Sequence, residues 1–128
     1  MEIKALPNII VNGTDANDTN YISNPYPYTV RVRKLAFMPK TSVATHASNY
    51  ITTTITNAGG DTLTTHGTDS ATGSALTAGT EKELTLSGTG KQLEIAAGAK
   101  MTVAVVKSGT GPAFNNQVIA VVDPLRAS

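Results

Sequence analysis

A chain of 128 residues with a net charge of +1, 40% apolar and 15% charged, is long enough for one cored domain and too apolar for a disordered chain. Near-neutrality gives no electrostatic reason to expect nucleic acid or a membrane surface as partner. Zero Cys excludes disulfides, thiolate metal sites and Cys nucleophiles together, and 5% aromatics with no Trp leaves the core to Val, Ile, Leu and Ala.

The opening Met1-Glu2-Ile3-Lys4 is of mixed charge, and no run approaches the ~20 apolar residues of a membrane span. The expectation is a chain made in a cytoplasm, without a signal peptide, and soluble until it assembles. Residues 1–27 read as an extended N-terminal arm and residues 28–128 as a folded body. Within the arm, Ile9-Ile10-Val11 is an apolar run that stops at the turn signal Asn12-Gly13. A polar, aperiodic stretch from Thr14 to Asn20 follows. Asn24-Pro25-Tyr26-Pro27-Tyr28 is expected to be extended, because each Pro fixes its own φ and drives its predecessor towards β geometry. Two readings stay open: the arm reaches a neighbouring molecule, or it packs as an ordinary strand and loop on its own domain.

The body alternates with period two, the signature of half-buried strands. In Tyr28–Arg33, Tyr28, Val30 and Val32 face one way while Thr29, Arg31 and Arg33 face the other. Asn49–Thr56 repeats the pattern with Ile51 and Ile55 inward, and Asn57–Asp61 is a turn. Weaker strands are expected at 62–66 and 74–77, and a further one at 81–86. After the turn 87–90, Leu93 and Ile95 form an inward pair. Residues 101–106 and 117–122 complete the set. No segment holds a helical period, and Thr in this quantity suits the wet face of a sheet. The fold class is therefore all-β, an antiparallel β-sandwich, jelly-roll-like or immunoglobulin-like, with the N-terminal arm attached.

Fragments that suggest chemistry fail on their spacing. Gly88-Thr89-Gly90-Lys91 has Thr85 where a phosphate loop needs its first Gly and Gln92 where it needs Ser or Thr. Asp15, Asn17 and Asp18 suggest a calcium loop, but Asn20 and Tyr26 stand where Gly and Glu belong. His66 and Asp69 could be joined to a Ser, yet there is no nucleophile elbow, and His46 and His66 have no carboxylate at ligand spacing. Both imidazoles are expected on the surface. No enzyme, cofactor or metal is expected. Arg31, Arg33 and Lys34 form a small basic patch on the wet face, either plainly solvated or a docking face for an acidic surface.

The strand Val30–Phe37, the link Met38-Pro39-Lys40, the run Asn49–Gly60 and the series Ile95–Val103, Ser108-Gly109-Thr110-Gly111 and a Val-rich last strand resemble the small β-sandwich structural proteins of tailed bacteriophages. The likeness spans about Tyr28 to Asp123 and lies in strand order and turn wording. It implies a head decoration (cement) protein that stabilises the outer surface of a capsid. Such a protein would be a homotrimer bound non-covalently to the major capsid protein, on the outer capsid surface of a virion made in a bacterial cytoplasm. Ile9, Ile10, Val11, Pro25, Tyr26, Pro27, Arg31 and Arg33 are then the candidate partner-binding residues. The alternatives are a tail, baseplate or head-fibre component, or a host-glycan-binding sandwich of the virion.

Overall fold

The computed structural model describes residues 4–5, 9–12, 18–109 and 115–125, the first two segments by their backbone pairing. Ten strands follow one another among the described residues: β1 (Lys4–Ala5), β2 (Ile9–Asn12), β3 (Asp18–Ser23), β4 (Val30–Pro39), β5 (Tyr50–Thr56), β6 (Thr62–Gly67), β7 (Lys82–Leu84), β8 (Glu94–Ile95), β9 (Lys100–Ser108) and β10 (Asn115–Pro124). A 3-10 turn at Gly90–Leu93 interrupts them.

Two of the ten-strand breaks are interruptions and not new rows. β2 and β1 pair in succession along one edge of β10, with Ile9 opposite Val118 and Ala5 opposite Val121. On the far edge of β4, β7 pairs at 35–37 and β8 at 30–31. The described residues therefore form eight rows: β1/β2, β3, β4, β5, β6, β7/β8, β9 and β10. One sheet runs β1/β2, β10, β4, β7/β8, and the other runs β3, β9, β5, β6, all antiparallel. Numbered by row, the pairs are 1 with 8, 2 with 7, 3 with 6 and 4 with 5. That is a long hairpin rolled up on itself, the jelly roll, an architecture of two Greek keys. Of the two strand orders the sequence left open, the pairing selects this one.

Between the sheets lies a core of branched aliphatics. Ile22 comes from β3, Val30, Val32, Leu35 and Phe37 from β4, Ile51 and Ile55 from β5, and Met101, Val103 and Val105 from β9. β5 and β9 alternate strictly between buried and partly exposed residues, as their sequences require. β4 does not. Val30 and Val32 are inward, and then Leu35 and Phe37 are inward, one residue out of phase. Arg33 is the extra residue of a bulge opposite Val121 and Val122, and it re-phases the strand so that both halves place their apolar residues on the core.

Two asparagines hold the connections. Asn24 is fully buried, and its Nδ2 donates to the carbonyls of Tyr28, Ile95 and Ala96 at 2.9–3.1 Å. Its Oδ1 accepts from the Tyr26 amide at 3.0 Å, which turns the chain. The segment Asn24–Tyr28 is thus a corner that carries the chain from one sheet to the other, and not the extended stretch its prolines suggested. Asn57 does the same for the β5–β6 hairpin: its Oδ1 accepts from the amides of Gly59 and Asp61, and its Nδ2 donates to the Gln92 carbonyl. Gly60, at φ 91°, supplies the left-handed residue that this turn needs.

The strand expected at 74–77 reduces to a single bridge between Val43 and Leu76. The turn expected at 87–90 continues into the 3-10 turn, where the Thr89 amide donates to Gln92 Oε1 and the Gln92 amide donates to the Thr89 carbonyl, both at 3.1 Å.

Candidate interaction surface

The outward positions of the β3-β9-β5-β6 sheet follow from the pairing register. Thr19, Ala104, Thr54 and Thr65 lie in one row across the four strands. Beside it run Tyr21, Thr102, Thr56 and Thr62. On the other side lie Val106, Thr52 and Gly67. Hydroxyls dominate, and two large apolar groups stand out of the face, Tyr21 at 52% exposure and Val106 at 48%. Two charges stand on this face: Lys100, whose ammonium sits 4.4 Å from the centre of the Tyr21 ring, and the Asp69 carboxylate, which lies over Gly67 beside Thr52 at the β6 edge.

The opposite outer face, on the β10–β4 sheet, mixes three ion pairs with the outward apolar residues Ala36 and Met38 of β4 and Ile119 and Val121 of β10. Arg31 bonds Glu94 at 3.2 Å, Arg33 bonds Asp123 at 3.2 Å and Lys34 bonds Glu81 at 2.8 Å. The Glu81 hydrogen bond raises the Lys34 pKa above its ordinary value, against the desolvation that lowers it. The basic patch expected from Arg31, Arg33 and Lys34 is therefore neutralised cation by cation. A shallow groove lined by Arg33, Glu83, Leu84, Thr85 and Leu86 runs beside it.

The remaining candidate partner-binding residues fall in the sandwich's own framework. Ile9, Ile10 and Val11 pair through their backbone with Val118, Gln117 and Asn116 of β10. Pro25 and Pro27 are exposed on the corner, and Tyr26 between them is partly buried, stacked on Tyr28 with ring centres 5.5 Å apart and against the core. Residues 18–27, assigned to the arm from sequence, hold an edge strand and a buried fastener.

The His66 fragment comes together only in part. Its Nε2 lies 3.0 Å from Ser74 Oγ, but Asp69 Oδ2 is occupied by the Thr72 amide at 2.9 Å and hydroxyl at 2.8 Å. The ring of His66 is not on the surface as expected. It points inward from β6 and stands edge-on to Phe37 of the facing sheet, with ring centres 5.5 Å apart. Burial lowers its pKa, as does Lys82, while Asp69 opposes them, which favours the neutral imidazole, and its bond to Ser74 fastens the 68–74 loop to β6. His46, on the exposed side of the same end, accepts from the amides of Ser48 and Asn49 through Nδ1.

Of the calcium-like fragment, Asp15 and Asn17 lie outside the described residues, and Asp18 accepts from Asn20 at 2.7 Å. Among the described residues no three His, Asp or Glu side chains converge as a metal site, and no helix is long and apolar enough to cross a membrane. The hydroxyl-rich sheet face was missed in the sequence because its residues come from four strands. Each alternation shows a Thr-rich wet side, but only the strand order joins those sides into one surface.

No family model matches the chain, and no curated protein matches it. Two solved structures of infectious bursal disease virus contain chains similar to this one, each with 14% identity and a TM-score of 0.37. The Gx-strain match covers 97% of this chain and the Gt-strain match 94%, and this chain spans 32% and 31% of theirs. At that identity and TM-score the likeness carries no argument about function.

Proposed function

We propose that this chain is a structural protein of a virion that decorates and stabilises the outer surface of a bacteriophage capsid by non-covalent contact with the major capsid protein. The observation that carries the reading is the distribution of charge: one outer face of the jelly roll carries three closed ion pairs, and the other is a hydroxyl-rich face with Thr at its centre and charges only at Lys100 and Asp69, towards its ends. Interface cores are depleted of charge and enriched in Tyr, which describes the second face. Jelly rolls serve in viral coats and in lectins, so the architecture supports the reading by analogy, together with the resemblance in strand order and turn wording. A decorating protein binds the assembled shell better than separated subunits, and so stabilises the shell by linkage.

Quantitative mass spectrometry of purified particles of the virus that encodes the chain tests this. Hundreds of copies in fixed ratio to the major capsid protein are expected. A handful of copies would move the protein to the tail, baseplate or a head fibre, and saturable binding on a glycan array would favour the glycan-binding reading. Absence from the particles would overturn the structural role.

A further inference from the structure

A sheet edge carries main-chain donors and acceptors that another extended backbone matches in spacing, and native proteins blunt such edges. Among the described residues, three of the four edges of this sandwich are blunted. The β1/β2 edge is broken into pieces of two and four residues, and the β7/β8 edge into three and two. On β6, the Leu63 carbonyl accepts from the Ser87 amide at 2.7 Å and the Gly67 carbonyl from the Ser74 amide at 3.0 Å. The fourth edge is β3. We propose that β3 is a strand-addition site, which takes an extended, acidic segment of the major capsid protein as a fifth strand of the β3-β9-β5-β6 sheet.

The register shows which groups leave that edge. The Asn24 amide bonds the Ala99 carbonyl at 2.8 Å, one step beyond the pairing of Ser23 with Lys100. Antiparallel pairs alternate between bonded and unbonded, so Ile22, Asn20 and Asp18 also turn their main-chain groups to β9. Thr19, Tyr21 and Ser23 turn theirs away. All three are exposed, and no hydrogen bond among the described residues reaches their N–H or C=O on that side. β3 runs six residues in one unshifted register, with neither Lys nor Pro among them. Its one charge, Asp18, stands at the first position and accepts a hydrogen bond from Asn20.

The side chains beside the edge set the partner's chemistry. Lys100 lies opposite Ser23 with its ammonium over the Tyr21 ring. Among the described residues no carboxylate meets it, unlike Arg31, Arg33 and Lys34. An acidic residue of the incoming strand, on the outer side next to Tyr21, supplies that partner. On the inner side the strand runs along the flank of the buried Ile22, which favours an apolar residue there. The added strand continues the sheet whose outer face is the candidate surface, so the two contacts are contiguous. This assignment rests on the decoration reading and says where on the chain the capsid protein binds.

Amide hydrogen exchange tests it on the full chain, free and loaded onto particles of the encoding virus assembled without it. The chain is recovered after labelling and read residue by residue by NMR. In the free chain the Asn20 and Ile22 amides, held by β9, are expected to exchange slowly, and those of Thr19, Tyr21 and Ser23 fast. On the particle these three are expected to slow at least about tenfold. Thr19→Pro removes an amide that bonds nothing in the chain, and should weaken particle binding at least about tenfold. Lys100→Glu leaves every main-chain group in place and should weaken binding about threefold or more. Arg33→Ala, on the opposite face, should bind as the parent does. A bound chain whose Thr19, Tyr21 and Ser23 amides exchange as in the free chain would overturn the proposal and leave the decoration reading standing. A parent that binds no particle would overturn both. Protection of the same amides in the free chain at about 1 mM would give the edge to a second copy, and would also overturn it.

Discussion

The two outer faces of this sandwich are made from the same strand grammar and end with opposite chemistry. On β4 the outward positions are Arg31, Arg33, Lys34, Ala36 and Met38, and each cation is met by a carboxylate from elsewhere in the chain: Glu94 of β8, Asp123 of β10 and Glu81 before β7. On β5 and β9 the outward positions are Thr52, Thr54, Thr56, Thr102, Ala104 and Val106. A face of closed ion pairs is well solvated and gains little from a partner. A hydroxyl-rich face with exposed Tyr21 and Val106, its centre free of charged side chains, loses little there on desolvation and can gain from one. The lesson is that the patch most conspicuous in the sequence, three basic residues in four, is electrostatically spent, whereas the plainest runs form the surface available for contact.

The comparison can be broken most severely at the corner that holds both faces in register. Asn24→Ala leaves the carbonyls of Tyr28, Ile95 and Ala96 without their donor in a buried site. It should cost about 3 kcal/mol and lower Tm by roughly 10 °C, read by thermal denaturation. A loss below about 1 kcal/mol would show that the corner is held by its prolines and not by this amide. Removing residues 1–27 takes away Asn24 and the core residue Ile22 together, and is expected to unfold the body instead of freeing it from an arm.

A smaller effect separates the interior from both faces. Burial lowers the His66 pKa in the folded chain below its ordinary value of 6.5. As pH falls, the unfolded chain therefore takes up this proton before the folded one. The contribution of His66 is complete above about pH 6.5 and is lost as pH falls from there through the folded pKa. Stability measured by urea denaturation at pH 7.5 and about pH 5 should decline in the parent, and His66→Gln should reduce that decline. An equal decline in both chains would assign the acid limb to carboxylates.

The smallest effect belongs to the charged face. Arg33→Ala removes an exposed pair with Asp123 and should change stability by less than about 1 kcal/mol, with little dependence on salt. A cost above about 2 kcal/mol would mean that this face is a structural network and would weaken the contrast between the faces.

Much of the fold was legible in the sequence, and the reasons are local. The alternation of Ile51, Thr53 and Ile55 in β5 sits with the same phase in the structure, because a strand buried on one side can satisfy only one register. β4 resisted the same treatment: a bulge at Arg33 changes which residues face the core, and nothing in Val30–Phe37 announces it. The prolines at 25 and 27 suggested extension, yet the Asx bond from Asn24 to the Tyr26 amide bends the chain there. His66 looked like a surface residue because its partner Phe37 is 29 positions away and on the other sheet. The candidate surface was the least legible, since strand order is a long-range property and period-two patterning is a short-range one.

Site-specific thiol labelling tests the central contrast most directly, since the chain has no cysteine of its own. Thr54→Cys and Arg33→Cys would each be reacted with a maleimide, free and bound to particles of the virus that encodes the chain. Labelling at position 54 is expected to slow several-fold on the particle, while labelling at position 33 stays constant. Equal rates at the two positions in both states would contradict the account, and protection at position 33 alone would reverse the roles of the two faces.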